Sequence, residues 1–584
     1  MRGKNAPQTG YARQMPDSVK DFSERTILAT AAWPYANNHL HMGHIAGAYL
    51  PADIFSRFQR MRGHRVLMVS GSDSHGTPVT VTAESEGITP EDVFNRYHQS
   101  FLDTFERLGI SFDLFTSTNT QNHTDVTQDF FLTLMNKGFL YEAEQTLLFD
   151  PEVQRFLPDR YIEGTCPICG SQEARGDQCD DCGSTLDALD LIDPRSKLSS
   201  ATPVEKPSKH WFLKLSAFSK DISEWLTTKN NWKPQVKNLS LGMIGDELPD
   251  RSITRDLTWG IPIPLDNYET KRIYVWFEAV IGYLSAAIEW SASERNMTGN
   301  PDLWKDWWME GDSETYYFVG KDNIPFHAII WPAMLLGYGG LNLPTNVPAN
   351  QYLMMSGTKA SKSRGTAVWM PDVLDHFHPD AIRYVLTASM PETSDSDFTW
   401  AEFVRRNNDE LVARWGNLVN RVLAMTHKNF DGKVPPAPVT AAPESIALLA
   451  ASQDAFARVG QELDKIEIRK ALNEIMEVAA AANKYLEDRA PWTALKDENG
   501  GWAHAGETLH IALQVISNLA ILYSPILPFS SQEVWEMIGH SSDSSLTDWL
   551  PQPINEGVSL PTAKPIFDKL DLDSVENIFL NGTT

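Results

Sequence analysis

Residues 26 to 33, TILATAAW, are a short apolar run. The segment from His44 to Arg62 then sets Ile45, Leu50, Ile54, Phe58 and Met61 at helical spacing, and RVLMVSGSD at 65 to 73 is a second apolar run that breaks into a Gly/Ser/Asp turn. This order predicts strand, helix, strand: a right-handed parallel unit whose ligand crevice lies beyond the carboxyl ends of its strands. A comparable pattern returns far downstream, with TYYFVG at 315 to 320, a helical stretch from Pro325 to Leu336 and a further strand near Gln351 to Met354. Turn-rich and aromatic sequence such as HWFLKL separates the halves, so the expectation is one α/β nucleotide-binding domain split by an insertion. From about 401 the pattern turns helical: Ile468, Ala471, Leu472, Ile475, Ala479, Ala482 and Leu486 repeat at spacings of three and four, and Pro491 ends that helix. VPPAPVTAAP at 434 to 443 reads as an interhelical loop, and no internal repeat is evident.

A chain of 584 residues has room for several cores. Its 50 Lys and Arg against 76 Asp and Glu leave a formal charge of −26, which repels polyanions and anionic lipid at long range, so a nucleic-acid partner requires a local basic face. Early on, Arg2, Lys4 and Arg13 alternate with Asp17, Asp21 and Glu24 without an apolar run, which predicts a cytoplasmic protein without a leader. The apolar stretch Leu509 to Phe529 is interrupted by His510, Gln514, Ser517, Asn518, Pro525 and Pro528, as a buried helix would be, and no membrane span is expected.

Cys166, Cys169, Cys179 and Cys182 form C-x2-C-x9-C-x2-C, with Gly170 and Gly183 after each pair for knuckle turns. Two disulfides or free thiols fit the same four residues. In a reducing compartment the spacing favours one zinc ion closed by four thiolates, a structural centre with no open position for chemistry.

Two further tracts point to phosphate. His41-Met42-Gly43-His44 lies just past the first strand and opens the first helix, where free N–H groups and the positive dipole end favour anions. Lys359-Ala360-Ser361-Lys362-Ser363-Arg364-Gly365, with Gly357 before it, is a small cationic loop after the last strand of the second half, suited to a departing pyrophosphate. Singly, each tract also reads as ordinary surface. Their joint occurrence is far more specific.

The pair resembles the HIGH and KMSKS signatures of the class I aminoacyl-tRNA synthetases. AAWPYANNHLHMGH at 31 to 44, GSDSHGTP at 71 to 78, RDLTWGIPIP at 255 to 264, YVWFEAVIGY at 274 to 283, GKDNIPFH at 320 to 327, GNLVNR at 416 to 421 and APW at 490 to 492 are similar to the methionyl-tRNA synthetase family within that class. The resemblance covers about residues 26 to 570. It implies a split Rossmann-type parallel-sheet catalytic domain with a zinc-binding insertion, followed by an all-α helical bundle. The expected divisions are a tail at 1–25, a first catalytic half at 26–137, a connective insertion with the zinc knuckle at 138–235 and a second half at 236–356. The KMSKS-type loop and stem-contact region follow at 357–405, and an anticodon-binding domain at 406–584.

The implied reaction joins L-methionine to tRNA(Met), initiator included, through ATP-dependent formation of methionyl-adenylate, with Mg2+ accompanying ATP. By the same resemblance His41, His44, Lys359 and Lys362 serve catalysis, and these four with Gly43, Gly320, Asp322 and Ser361 hold ATP. Ala32, Trp33, Tyr35, Asp73, Trp276, Ala279, Tyr283 and His327 hold methionine, Asp73 taking its ammonium group. Asn417, Arg421 and Trp492 meet the anticodon. Around the first two of these, Arg405, Arg406, Arg414, Arg421 and Lys428 outnumber Glu402, Asp409 and Glu410, a small local excess of positive charge. Departures are Ala360 for the usual Met of the loop, and Glu278 and Val280 where many members carry Asp and Pro. The expected state is a monomer, since no further dimerisation module follows the helices. A sister synthetase for Leu, Ile or Val would need a larger editing insertion, and one for cysteine an open metal. A silent zinc- and RNA-binding module would not need both phosphate tracts.

Overall fold

The computed structural model describes residues 24–158, 161–176, 179, 181–182, 184, 186–245, 248–355, 358–359, 368–497, 501–541 and 546–579. Strands β1 (Thr26–Ala31), β2 (Arg65–Ser72), β3 (Leu114–Ser117), β4 (Glu314–Gly320) and β5 (Ala349–Asn350) make one parallel sheet in the order β5-β4-β1-β2-β3. The split read from the sequence is the seam between β1 and β4, where Ile27 lies opposite Glu314 and Ala31 opposite Phe318. Strand alternation sends Ile27, Ala29, Tyr316 and Phe318 into one core and Leu28, Tyr317 and Val319 into another, so both faces of the sheet are covered.

Two helices leave the carboxyl edge by the same device. After β1 the chain runs through Met42–His44, a π-turn at Ile45–Tyr49, and α1 (Leu50–Met61); after β4 a π-turn at Phe326–Ile330 leads into the helix Trp331–Tyr338. Pro51 and Pro332 sit at the second position after each π-turn. Neither has the N–H that would bond the carbonyl four residues earlier, and the wider turn relieves the clash of the ring with that carbonyl. The strand expected near Gln351 to Met354 is in fact two. β5 ends at Asn350, Gln351 donates its N–H to Pro391 O at 2.8 Å, and Leu353–Met355 pairs with Ser396–Phe398 in a separate sheet.

Between the halves, strands Leu140–Asp150 and Val204–Leu213 form a long antiparallel hairpin, at whose far end Ile162–Thr165, Ala174–Arg175 and Ile192–Ser196 form a small sheet carrying the cysteines. The returning chain supplies α2 (Val275–Ala292), nearly all buried, which packs on β2. After α3 (Pro379–Ala388) and the strand Ser396–Phe398 the chain is mainly helical, through α4 (Asn417–Asn429), α5 (Ile468–Arg489) and α6 (Gly501–Tyr523). The apolar stripe read for α5 is buried, and the helix stops at Ala490, whose φ of 39° is a left-handed cap just before Pro491. Among the described residues α6 is the one helix long and apolar enough to cross a membrane, and 83% of its apolar window is packed inside the protein.

Arg383 of α3 joins the two domains. Fully buried, it donates to Asp53 of α1 at 2.7 Å, to Leu108 O at 3.1 Å, and to Pro525 O and Ile526 O at 3.0 and 2.7 Å. Burial would raise the Asp53 carboxyl, but Arg57 and Arg383, with two hydrogen bonds from Ser111, outweigh it and hold it down to about 2. An Arg383→Leu protein is expected to lose about 3–5 kcal/mol of stability in chemical denaturation, because Asp53 loses its fully buried cation, keeping Arg57 and Ser111, and the buried carbonyls lose their donor.

Candidate active site

His41 caps the first helix through its own side chain. Its Nδ1 accepts from Gly43 N–H at 3.1 Å, while its backbone N–H donates to His44 Nδ1 at 3.2 Å, and the two rings stack at 3.6 Å. Both Nδ1 atoms therefore act as acceptors, and each neutral ring carries its proton on Nε2, the tautomer that donates to an anion. A Cβ on Gly43 would lie 2.9 Å from His41 Cε1, so a side chain there would push the His41 ring from its capping position.

The lysine tract meets this turn from both ends. Thr358–Lys359 pairs antiparallel with Leu353–Met355, whose Leu353 O lies 3.7 Å from a Cβ placed on Gly43. On the far side of the loop Trp369 bridges His41, and Met370 donates its N–H to Leu40 O at 2.8 Å. Gly357, Ala360, Ser361, Lys362, Ser363, Arg364 and Gly365 lie outside the described residues, as does Gly183 of the cysteine knot. Gly320 ends β4, and Asp322 in the next turn accepts from the Tyr352 hydroxyl, while Lys321 pairs with Asp395 at 2.8 Å and lies over the Tyr352 ring.

At the carboxyl ends of β1 and β2 the expected amino-acid pocket residues converge. Tyr35 bridges Asp73; Trp276 stands edge-on to Tyr35 at 5.9 Å and stacks on Phe326 at 4.2 Å; Trp33 meets the Tyr283 edge at 6.3 Å. Ala32 donates its N–H to Phe318 O, and Ala279 is buried in α2. His327 donates from Nδ1 to Asn323 O at 2.8 Å, so its Nε2 accepts from the Tyr283 hydroxyl at 2.7 Å. Burial lowers the His327 pKa to about 4, keeping the ring neutral in this role. Asp73 is buried, accepts from His75 N–H at 3.3 Å, and is pushed well above the usual carboxylate range by burial and by the Glu278 charge. It is a site that gains from an arriving cation.

Several residues that shape this pocket were not singled out from sequence. A Cβ on Gly71 would fall 2.3 Å from the Trp33 ring and 2.7 Å from Thr116 O, and one on Gly282 2.6 Å from Cζ2 of the same ring. Both lie inside the quoted GSDSHGTP and YVWFEAVIGY tracts, but close approach of an indole leaves no one-dimensional signal. Phe326, His75, His123 and Trp259, which donates from Nε1 to Ser74 O at 2.7 Å, are likewise placed by tertiary contact.

The four cysteine sulfurs all lie within 4.8 Å of one another, the nearest pairs at 3.6 and 3.9 Å, a cluster able to hold a metal ion. Gly170 has φ of 79°, as its knuckle turn requires, and Ile168 N–H donates to Cys166 Sγ at 3.4 Å. In the helical domain Asn417 and Arg421 stand one turn apart, the Arg421 guanidinium lying 5.1 Å over the Trp492 ring and 2.8 Å from Glu487. Arg405 and Arg406 are neutralised by Glu402 and Glu410, and Arg421 is paired with Glu487, so the local basic excess falls toward Arg414 and Lys428.

A split parallel sheet with an imidazole pair at the mouth of β1, met from both ends by a lysine-bearing loop, is the catalytic frame of a class I aminoacyl-tRNA synthetase. The family described as tRNA synthetases class I (M) matches residues 27–423, and the anticodon binding domain of methionyl tRNA ligase matches 434–579. Methionine–tRNA ligase of Thermomicrobium roseum is 46% identical, over 94% of this chain and 98% of that protein; the one from Dehalococcoides mccartyi strain 195 is 49% identical, over 95% and 98%. Mycobacterium tuberculosis methionyl-tRNA synthetase in complex with methionyl-adenylate superposes with a TM-score of 0.77 at 25% identity, covering 93% of this chain and all of that one. The chain belongs to the methionyl-tRNA synthetase family.

Gly282→Ala is expected to displace the Trp33 indole at a cost of about 1–3 kcal/mol, read as a changed near-ultraviolet circular dichroism spectrum together with a lower denaturation midpoint.

Proposed function

We propose that this protein activates L-methionine with ATP and transfers it to the terminal ribose of tRNA(Met), initiator tRNA included. The observation that carries this reading is the meeting of both flanks of the lysine tract with the His41 turn. A methionine carboxylate oxygen bonds to the α-phosphorus of ATP, and the bond to the bridging oxygen breaks as pyrophosphate leaves with its electron pair. The carboxylate is already anionic at neutral pH, so alignment and charge stabilisation suffice and no general base is needed. His41 and His44 donate to phosphate oxygens from Nε2, Gly43 lets adenine approach, and Gly320 and Asp322 address the ribose. Lys359, Ser361 and Lys362 hold the departing β- and γ-phosphates, whose charge Mg2+ shares. In the second step a ribose hydroxyl oxygen attacks the carbonyl carbon, losing its proton as AMP departs.

Asp73 binds the ammonium group by a charge-assisted hydrogen bond, and Ala32, Trp33, Tyr35, Trp276, Ala279, Tyr283 and His327 surround the thioether. Polarisable sulfur and aromatic edges attract each other. A missing methyl changes binding by only about 1–3 kcal/mol, so homocysteine enters the site and is rejected there. Asn417 and Arg421 read anticodon base edges, while Trp492 offers a stacking face. The metal is a single zinc ion on Cys166, Cys169, Cys179 and Cys182. Zn–S bonds of about 2.3 Å give a tetrahedron with sulfurs about 3.8 Å apart, close to the spacing of this cluster. With four thiolates it closes the knuckle and takes no part in the chemistry.

Exchange of labelled pyrophosphate into ATP is expected with methionine, weakly with homocysteine, and not with leucine or cysteine; exchange driven by leucine or cysteine instead would overturn the assignment. Trp492→Ala is expected to lower tRNA aminoacylation at least tenfold (about 1.4 kcal/mol) while leaving methionine-dependent exchange near the parent level. Equal losses in both assays would make Trp492 a structural residue.

A further inference from the structure

Beside the ammonium subsite lies a buried charge cluster that the proposed chemistry does not use. Glu278, in the first turn of α2, is 0% exposed. His75 Nδ1 lies 3.0 and 3.1 Å from its two oxygens, and His123 Nε2 lies 3.7 Å from one of them, within ion-pair range but beyond a hydrogen bond. A carboxylate taken out of water is costly unless it is hydrogen-bonded, and the His75 ring lies within hydrogen-bond distance of both of its oxygens.

The same three side chains reach both ends of the pocket. The His75 backbone N–H donates to Asp73 Oδ1, and its ring is held between Glu278 and the edge of Trp259 at 5.5 Å. His123 donates from Nδ1 to Ser285 Oγ at 2.8 Å, because that hydroxyl gives its own proton to Gly282 O, and the His123 ring stacks on Trp33 at 6.1 Å. Thr127 Oγ1 stands 3.4 Å from His123 Nε2. Two carboxylates, Asp73 and Glu278, thus share one water-poor pocket. Burial would raise Glu278, but the neighbouring His75 and His123 rings outweigh it and lower it, whereas Asp73 has only the His75 backbone N–H against burial and the Glu278 charge and stays raised.

We infer that Glu278 is a positioning residue for amino-acid binding: paired with His75, it holds the turn at 73 to 75 so that Asp73 alone presents an uncompensated carboxylate to the substrate ammonium group. This rests on the reading of Asp73 given under Proposed function. Glu278 touches neither the reacting carboxylate nor ATP in this role, so its effect falls on methionine affinity and not on the phosphoryl-transfer step.

The test is methionine-dependent pyrophosphate exchange with Glu278→Gln, Glu278→Asp and His75→Gln in the full chain, each checked for a cooperative thermal transition. Glu278→Gln and His75→Gln are expected to raise the KM for methionine about tenfold, equivalent to about 1.4 kcal/mol, with kcat and the KM for ATP within about twofold of the parent. Glu278→Asp, which keeps the charge, is expected to recover most of that loss. A methionine KM within about twofold of the parent in folded Glu278→Gln would overturn the inference, as would Glu278→Asp being as impaired as Glu278→Gln, or an ATP KM rising in step. If Glu278→Gln does not fold, His75→Gln decides by the same readings. Absence of methionine-dependent exchange in the parent itself would instead defeat the reading of function, so the two failures are distinct.

Discussion

A guanidinium with no access to water, that of Arg383, is the contact on which the arrangement of the two domains depends. It satisfies Asp53 of the sheet domain, the carbonyl that ends the helix at Leu108, and two carbonyls beyond α6 in the same stroke. A buried cation cannot leave one of these unmet without a large desolvation cost, so the helical bundle docks on the sheet in one discrete position. Neighbouring contacts repeat the theme at lower cost: Asp380 accepts from Ser530 N–H and Oγ at 2.6 Å, and Asp464 takes Arg25, Gln59 and Arg62.

That docking also holds both ends of α5. Its N-terminus receives Glu392, whose Oε1 accepts from Ile468 and Arg469 N–H at 2.7 and 3.1 Å. Lys233 donates to Glu392 O at 3.0 Å and to Asn350 Oδ1 at 3.2 Å, and Asn350 donates to Ala46 O in the helix that His41 opens. The other end of α5 stops beside Trp492, with Glu487 on Arg421. α5 therefore spans the distance between the Arg421–Trp492 pair of the bundle and a hydrogen-bonded chain that ends in the helix opened by His41.

Within the site, charge is arranged by burial more than by number. The chain as a whole carries −26, yet the mouth of β1 presents N–H donors and neutral imidazoles, and its acidic groups lie deeper. In the proposed function such a mouth would meet a polyphosphate with fixed dipoles, which act at short range where the distant negative surface is screened.

Periodicity and short motifs in the sequence determined the parallel sheet and its split, the apolar face of α5 with its stop before Pro491, and the cysteine spacing, whereas the residues that gather at the strand ends were legible only through the family resemblance. The former are local properties, written by residue spacing over a few turns. The chain could not announce by spacing that Gly71 and Gly282 yield to one indole, that Asn350 and Leu353 belong to two different sheets, that π-turns precede Pro51 and Pro332, or that Arg405 and Arg406 are neutralised by their neighbours. Least legible of all were Arg383 and the His75–Glu278 pair, because a charged residue in a sequence reads as solvent-facing until folding brings distant strands and helices around it. Only the tertiary structure decides which charges lose their water, and the partners each then requires follow from that loss.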